Sequence, residues 1–260
     1  MPGVAAAVVA AVVAAALVLP APAPCDGCAA FGPATRPWQI QLQGPANTKL
    51  DAHAFEVDGF DATKRTVRRI ERGRRRSICY LDAGSWESFR PDRDTFAPEL
   101  LGNVYAGFED ERWLDIRRVD LLQPILEARI EMCRDKGFDA VDPDNVNGYE
   151  NDTGFPLTAS DQLRFNTFLA NLVHAHGMAV ALKNDGPQAA TLARYFDFAV
   201  VEECFAQRDC RAYRAFVKAG KAAYAIEYAQ RSARVCRDAR RWRFSVIFKH
   251  MSLRSYRRTC

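Results

Sequence analysis

The chain has 260 residues, 48% of them hydrophobic and 26% charged, which is enough to bury one sizeable core and too apolar for a disordered polypeptide. A balance of 36 Lys and Arg against 32 Asp and Glu leaves a formal charge of +4, too mild to argue for a nucleic-acid partner. The eight cysteines form an even set, and in an exported chain such a set reads as disulfides.

Residues 4–19 are an unbroken Ala/Val/Leu run, and no charge appears before Asp26. The run is short for a membrane span, and the small residues at 20–24 follow it as in a secretory signal. Residues 1–24 are therefore expected to be a signal peptide, or an N-terminal anchor if uncleaved. The protein is expected outside the cell, or at its surface if the segment is retained, with no stable membrane partner otherwise. Cys25 and Cys28 fall in an expected linker, residues 25–37, where a local disulfide is the simplest reading and no βαβ context supports redox or metal chemistry.

From residue 38 to 260, β-prone runs alternate with helix-period segments. Strand candidates are residues 38–42, 54–57, 77–81, 113–116, 140–142, 179–182, 199–202, 223–226 and 244–248, one more than eight places need. Helices are expected at 62–72, 120–136, 161–176, 187–195, 211–219 and 233–240, with Gly137, Gly177 and Gly220 just past helix ends. The basic run 64–76 keeps Val67 and Ile70 three apart, as on an amphipathic helix with a solvated outer face. The pattern predicts one α/β domain, a single (β/α)8 barrel of TIM type. An open doubly wound sheet is the alternative, but no glycine-rich dinucleotide fingerprint follows the early strands. By spacing, Cys204 and Cys210 could clamp a loop and Cys236 and Cys260 tie down the C-terminus, leaving Cys79 with Cys133.

In such a barrel the chemistry sits at the C-terminal strand ends. Those ends carry Asp58, Asp82, Asp115, Asp142 with Asp144, Asn184 with Asp185, Glu202 with Glu203, and Glu227. One Asp there is ordinarily a helix cap; seven acidic ends in one funnel crowd like charges, which splits their protonation states. Glycoside hydrolysis needs such a pair, one carboxylic acid and one carboxylate, and Asp144 and Glu202 could face each other across the mouth. Trp38, Tyr80, Trp86, Tyr149, Phe205 and Tyr228 offer faces for sugar rings, with core packing as the alternative. His174 and His176, two apart on a helix, make a poor metal pair, and neither a G-x-S-x-G elbow nor a P-loop is present. No cofactor and no metal are expected, although the acidic ring could bind a divalent cation.

The motifs WQIQL at 38–42, CYLDAGSWE at 79–87, WLDIR at 113–117, GFDAVDPDNVNGY at 137–149, LKN at 182–184 and VEECF at 201–205 resemble glycoside hydrolase family 114, the endo-α-1,4-polygalactosaminidase family. The resemblance spans residues 38–260. It implies a TIM barrel, cleavage of α-1,4-linked galactosamine polymers, and Asp144 and Glu202 as the pair matching the family's catalytic carboxylates. Asp142 stands where relatives often have Glu, and Asp82 where they often have a small polar residue. The implied substrate is cationic, which gives an acidic funnel a purpose on a mildly basic chain. Candidate sugar contacts are Asp58, Asp82, Asp115, Asp142, Asn145, Tyr149, Lys183, Asn184, Glu227, Trp38 and Tyr80; Lys183 could instead hold Asp144 or Glu202 ionised. The expected partner is the polysaccharide alone, met by a monomer. A non-catalytic carbohydrate-binding barrel and a metal-dependent hydrolase are the alternatives.

Overall fold

The computed structural model describes residues 19–33 and 36–260. Most of the expected signal or anchor, residues 1–18, lies outside the described residues. In chain order the elements are β1 (Trp38–Gln41), β2 (Ala54–Asp58), α1 (Lys64–Glu71), β3 (Arg76–Asp82), β4 (Ser85–Glu87), β5 (Leu101–Tyr105), β6 (Phe108–Leu114) and α2 (Val119–Lys136). There follow β7 (Ala140–Asp144), α3 (Ala159–Ala175), β8 (Ala179–Lys183), α4 (Ala189–Leu192), β9 (Phe198–Glu202), α5 (Cys204–Gln207), α6 (Arg214–Lys218), β10 (Ala222–Glu227), α7 (Ala233–Trp242), β11 (Ser245–Phe248) and β12 (Arg258–Thr259).

Nine strands form one curled sheet in the order β1-β2-β3-β7-β8-β9-β10-β11-β12, parallel throughout except for the antiparallel β11–β12 pair. The curl brings the first and last parallel strands together: the Trp38 indole donates to the Ser245 carbonyl at 3.0 Å, and the Ser245 hydroxyl to the Arg36 carbonyl at 2.8 Å. Strands such as β2, β8 and β10 are buried along their whole length, as a parallel sheet with covered faces requires. The helical layer departs from eightfold regularity, since no helix joins β1 to β2. The β3–β7 crossover also carries a second sheet, β4-β6-β5, antiparallel throughout. That sheet absorbs the surplus strand candidate at 113–116.

The other expected strands fall within a residue or two of those observed. α1 buries Val67 and Ile70 and exposes its basic residues, and α3 opens on a capping box between Thr158 and Asp161. All four cysteine pairs are bonded: Cys25–Cys28, Cys79–Cys133, Cys204–Cys210 and Cys236–Cys260. Among the described residues no helix is long and apolar enough to cross a membrane.

The segment read as a linker is packed against the N-terminal ends of the strands. Phe31 is buried and stacks on Phe198 at 4.1 Å. Its carbonyl accepts from the Ala222 N–H at 2.9 Å. The end of the expected signal or anchor continues the same packing: the Tyr195 hydroxyl donates to the Pro20 carbonyl at 2.7 Å, and the Ala23 N–H to Asn171 Oδ1 at 2.8 Å. Burial of one large apolar side chain contributes roughly 1.5–3 kcal/mol, so Phe31 makes this segment the floor of the domain.

Candidate active site

The opposite ends of the strands open into a cleft of about 1150 Å³. Side chains alternate along a strand, so one inward row reaches the cleft from the last turn of the sheet: Asp58, Tyr80, Asp144, Lys183 and Glu202 all line it. Its centre is Lys183, 4% exposed, whose ammonium lies 2.9 Å from Asp144 Oδ1 and 3.2 Å from Glu202 Oε2. The other Asp144 oxygen accepts from the Tyr80 hydroxyl at 2.8 Å, and Oδ1 also from the Asn145 N–H at 2.8 Å. Glu202 accepts from the Tyr228 hydroxyl through Oε1 and, at 3.4 Å, from the Asn184 amide through Oε2.

Burial pushes the Asp144 carboxyl up, but the Lys183 ammonium, the Asn145 N–H and the Tyr80 hydroxyl outweigh it and hold Asp144 below the usual carboxylate range. Burial likewise lowers Lys183, and Asp144, Glu202 and Asp142 more than reverse it, keeping the ammonium charged well beyond its ordinary range. Tyr228 and Tyr80 are pushed up, first by burial and then by the carboxylates they serve, so both remain donors.

The same backbone device follows each of the three central strands. Asn145, Asn184, Asp185 and Glu203 have φ of 59°, 50°, 56° and 53°, left-handed values that Asn and Asp tolerate best. The turn sends the chain away from the axis and leaves the preceding residue, Asp144, Lys183 or Glu202, pointing into the mouth. Gly84 belongs to this construction: a Cβ there would lie 1.8 Å from the Asn145 carbonyl oxygen. The closeness lets Ala83 and Gly84 donate their N–H groups to the Asp144 carbonyl.

The chain matches the model of glycoside-hydrolase family GH114 over residues 21–260. It belongs to that family. The match begins inside the N-terminal segment that packs under the sheet, as the fold of that segment requires. Among solved structures this GH114 glycoside hydrolase is similar to Ega3 of Aspergillus fumigatus, solved in complex with galactosamine. The two share 35% identity and a TM-score of 0.85 over 92% of this chain and 99% of that one. It is also similar in fold to the glycoside hydrolase domain of PelA from Pseudomonas aeruginosa, 12% identical with a TM-score of 0.66 over 88% of this chain and 99% of that one. No match is found among curated protein sequences.

The GH114 cleft gathers Asp58, Tyr80, Asp144, Asn145, Lys183, Asn184 and Glu202 of the expected residues. Six others lie elsewhere. Trp38 is fully buried at the N-terminal end of β1 against Tyr224, because its strand starts there and the cleft lies at the other end. Asp82 ties down the β3–β4 turn, accepting from the Gly84 and Ser85 N–H groups at 3.0 and 2.6 Å and from the Asn145 amide at 2.6 Å. Asp115 follows β6 in the second sheet and holds Arg117 at 2.7 Å. Asp142 is 0% exposed, one inward position below Asp144. Tyr149 stands behind the wall, its hydroxyl donating to Asp185 at 3.2 Å. Glu227 caps α5, accepting from the Phe205 and Ala206 N–H groups at 2.9 and 3.2 Å.

Sequence reasoning missed the wall supplied by the second sheet. Tyr105, Phe108 and Glu111 line the cleft from β5 and β6, and Glu111 is raised to about 7 by burial and then by Glu87, which stands opposite it across the ladder. Arg90 joins Asp58 at 2.8 Å to Glu87 at 2.7 Å and lies over the Phe60 and Phe89 rings. The usable signal was the Ala106–Gly107 turn between Tyr105 and Phe108, a two-residue hairpin loop. Asp185, raised to about 7 by burial, also lines the cleft. Among the described residues no group of three His, Cys, Asp or Glu is disposed to hold a metal ion.

Proposed function

We propose that this GH114 enzyme is exported and hydrolyses α-1,4-linked galactosamine polymers with retention of configuration, on a sheet closed as a (β/α)8 barrel. The observation that carries the mechanism is the shared contact with Lys183. Since Asp144 Oδ1 and Glu202 Oε2 both lie on one ammonium, at 2.9 and 3.2 Å, these oxygens are no more than about 6 Å apart, under the ~6.5 Å that an inverting pair needs.

Asp144, held ionised, attacks the anomeric carbon while Glu202, entering the step in its protonated form, gives that proton to the departing glycosidic oxygen; the bond to that oxygen breaks as the bond to Asp144 forms. Glu202, now a carboxylate, takes a proton from water, and the hydroxide released to the anomeric carbon frees Asp144. Lys183 orients both carboxyls and compensates the charge that passes between them.

The polymer class is supported by the lining of the cleft, twelve carboxyl residues against two cations, Arg90 and Lys183. Unacetylated galactosamine is cationic near neutral pH, so it suits a mouth of that sign. The galactosamine bound to Ega3 points the same way. Export is supported by the four disulfides, which persist in oxidising compartments. The test is reducing-end release from galactosamine polymer by purified protein, with chelator present and the anomer of the new end followed by NMR. Asp144→Asn and Glu202→Gln are expected to lose at least ~10²-fold in kcat. Binding without release, loss of wild-type activity on chelation, or near-wild-type activity in both variants would overturn the reading.

A further inference from the structure

Beneath the site lie two carboxyl groups that the mechanism leaves idle. Glu56 on β2 and Asp142 on β7 are both 0% exposed, and none of their four oxygens has a hydrogen-bond partner. β2 and β7 flank β3, and inward side chains of alternate strands share a layer in a curled parallel sheet. Glu56 and Asp142 therefore sit in one layer, each two residues before a cleft residue, Asp58 or Asp144. The rest of the interior at this depth is apolar, with Ile40, Ile78, Ala181, Val200, Ile226 and Ile247 from the other strands.

The charged groups that face the pair are Lys183 from β8, Asp144 above it on β7 and Glu202 from β9. The Lys183 ammonium already contacts Asp144 and Glu202, and the Tyr80 hydroxyl from β3 is given to Asp144. Two dry carboxylates with no donor cannot both ionise. A single proton held as O–H···O⁻ satisfies both groups and leaves one negative charge. Burial and then the neighbouring carboxyl raise Glu56 well above the usual range, and burial raises Asp142 to about 7.

We propose that Glu56 and Asp142 share one proton, and that the negative charge left on the pair is the counter-charge to Lys183 that sets the pH window of the carboxyls above. The pair is a positioning device that touches no substrate. Without its charge the ammonium acts more strongly on Asp144 and Glu202, and the site gives up its protons at lower pH.

Single and double substitutions separate this from a structural role. In Glu56→Gln the new amide donates to Asp142, and in Asp142→Asn it donates to Glu56. Each single variant keeps one negative charge and both limbs of the pH–rate profile in place. The double variant is isosteric but uncharged, and both limbs move to lower pH by about one unit, the scale set by one charge several ångströms away at an effective dielectric constant of ~20. The profile is read as reducing-end release from galactosamine polymer, and to that extent it rests on the reading above. A folded double variant with wild-type limbs overturns the proposal, and so does a single variant that moves both limbs as far as the double.

Infrared spectroscopy of the unliganded protein at pH 7 is independent of any substrate and of the double variant's folding. A component of the protonated-carboxyl C=O band is expected to disappear in each single variant. If neither single variant loses one, proton sharing is refuted whether or not the polymer is hydrolysed.

Discussion

Lys183→Met keeps most of the side-chain length and removes the charge and the donors at the centre of the cleft. The ammonium lies 2.9 and 3.2 Å from its two carboxylates and is 4% exposed. At an effective dielectric constant of ~20 each contact represents roughly 5 kcal/mol of gross attraction, largely offset by desolvation of the buried ion. Removing one member of a buried ionic cluster costs about 3–5 kcal/mol because the partners stay behind uncompensated. Asp144 and Glu202 retain 17% and 28% side-chain exposure, so water screens them and the low end, about 3 kcal/mol, is expected. The loss depends on pH. Asp144 is held below its ordinary value, so its contribution is present above the unfolded carboxylate range, near pH ~4, and disappears as pH falls through the depressed value. The Lys183 contribution is full at any pH below its unfolded value of about 10.4. Urea unfolding of wild type and variant should therefore differ widely at pH 7 and converge in acid, while the acid limb of the variant's activity moves to higher pH. Equal midpoints at neutrality, or a deficit that stays constant into acid, would refute this account of the centre.

Other consequences are as direct. Tyr80→Phe and Tyr228→Phe each remove one hydrogen bond donated to a carboxylate, and kcat/KM should fall roughly 10-fold or more, the equivalent of about 1.5–3 kcal/mol; steady-state kinetics with unchanged unfolding midpoints would check it. Asp82→Ala strands the Ser85 N–H and takes one of two acceptors from the Gly84 N–H and from the Asn145 amide, at a cost of about 1–3 kcal/mol in stability, seen as a lower Tm. Phe31→Ala opens the floor under Phe198 and should cost about 3–5 kcal/mol while kcat/KM is retained. Added salt should lower kcat/KM on a cationic polymer, since the mouth is acidic; steering by the net charge of +4 would have salt raise it.

The parallel strands were legible because each is a short apolar run bounded by turn residues, and eight of the nine candidates lie in the curled sheet. Residues 113–116 read the same way for a local reason: Trp113 and Leu114 are buried at the end of an antiparallel strand, and periodicity does not reveal which sheet a strand joins. Asp115 was misplaced with it. Glu227 and Asp82 were drawn into the site by their positions at strand ends, yet Glu227 spends its oxygens on the N–H groups of α5, the capping role that short βα turns ordinarily demand, and Asp82 spends its own on the β3–β4 turn and the Ser85 and Asn145 side chains. The floor was missed because a Pro- and Ala-rich stretch looks like linker, and the contact that fixes it, Phe31 on Phe198, joins residues far apart in sequence. The wall from β5 and β6 hid for a related reason. Residues 108–112 are charged or exposed along most of their length and carry little apolar period, although they line the cleft.

Acidic pairs two residues apart carry the larger lesson. Glu56 with Asp58 and Asp142 with Asp144 have the strand period, so both members of each pair face inward, and side-chain pattern alone treats them as equals. Depth separates them. The outer members meet cations and donors, Asp58 at Arg90 and Asp144 at Lys183, Tyr80 and the Asn145 N–H, and those contacts hold Asp144 ionised. The inner members meet each other and a ring of aliphatic side chains, where only a shared proton makes the pair tolerable. One ammonium stands between the two layers. The charge of each layer is thus part of the environment of the other, and a substitution below the cleft should be read through the pH dependence of the chemistry above it.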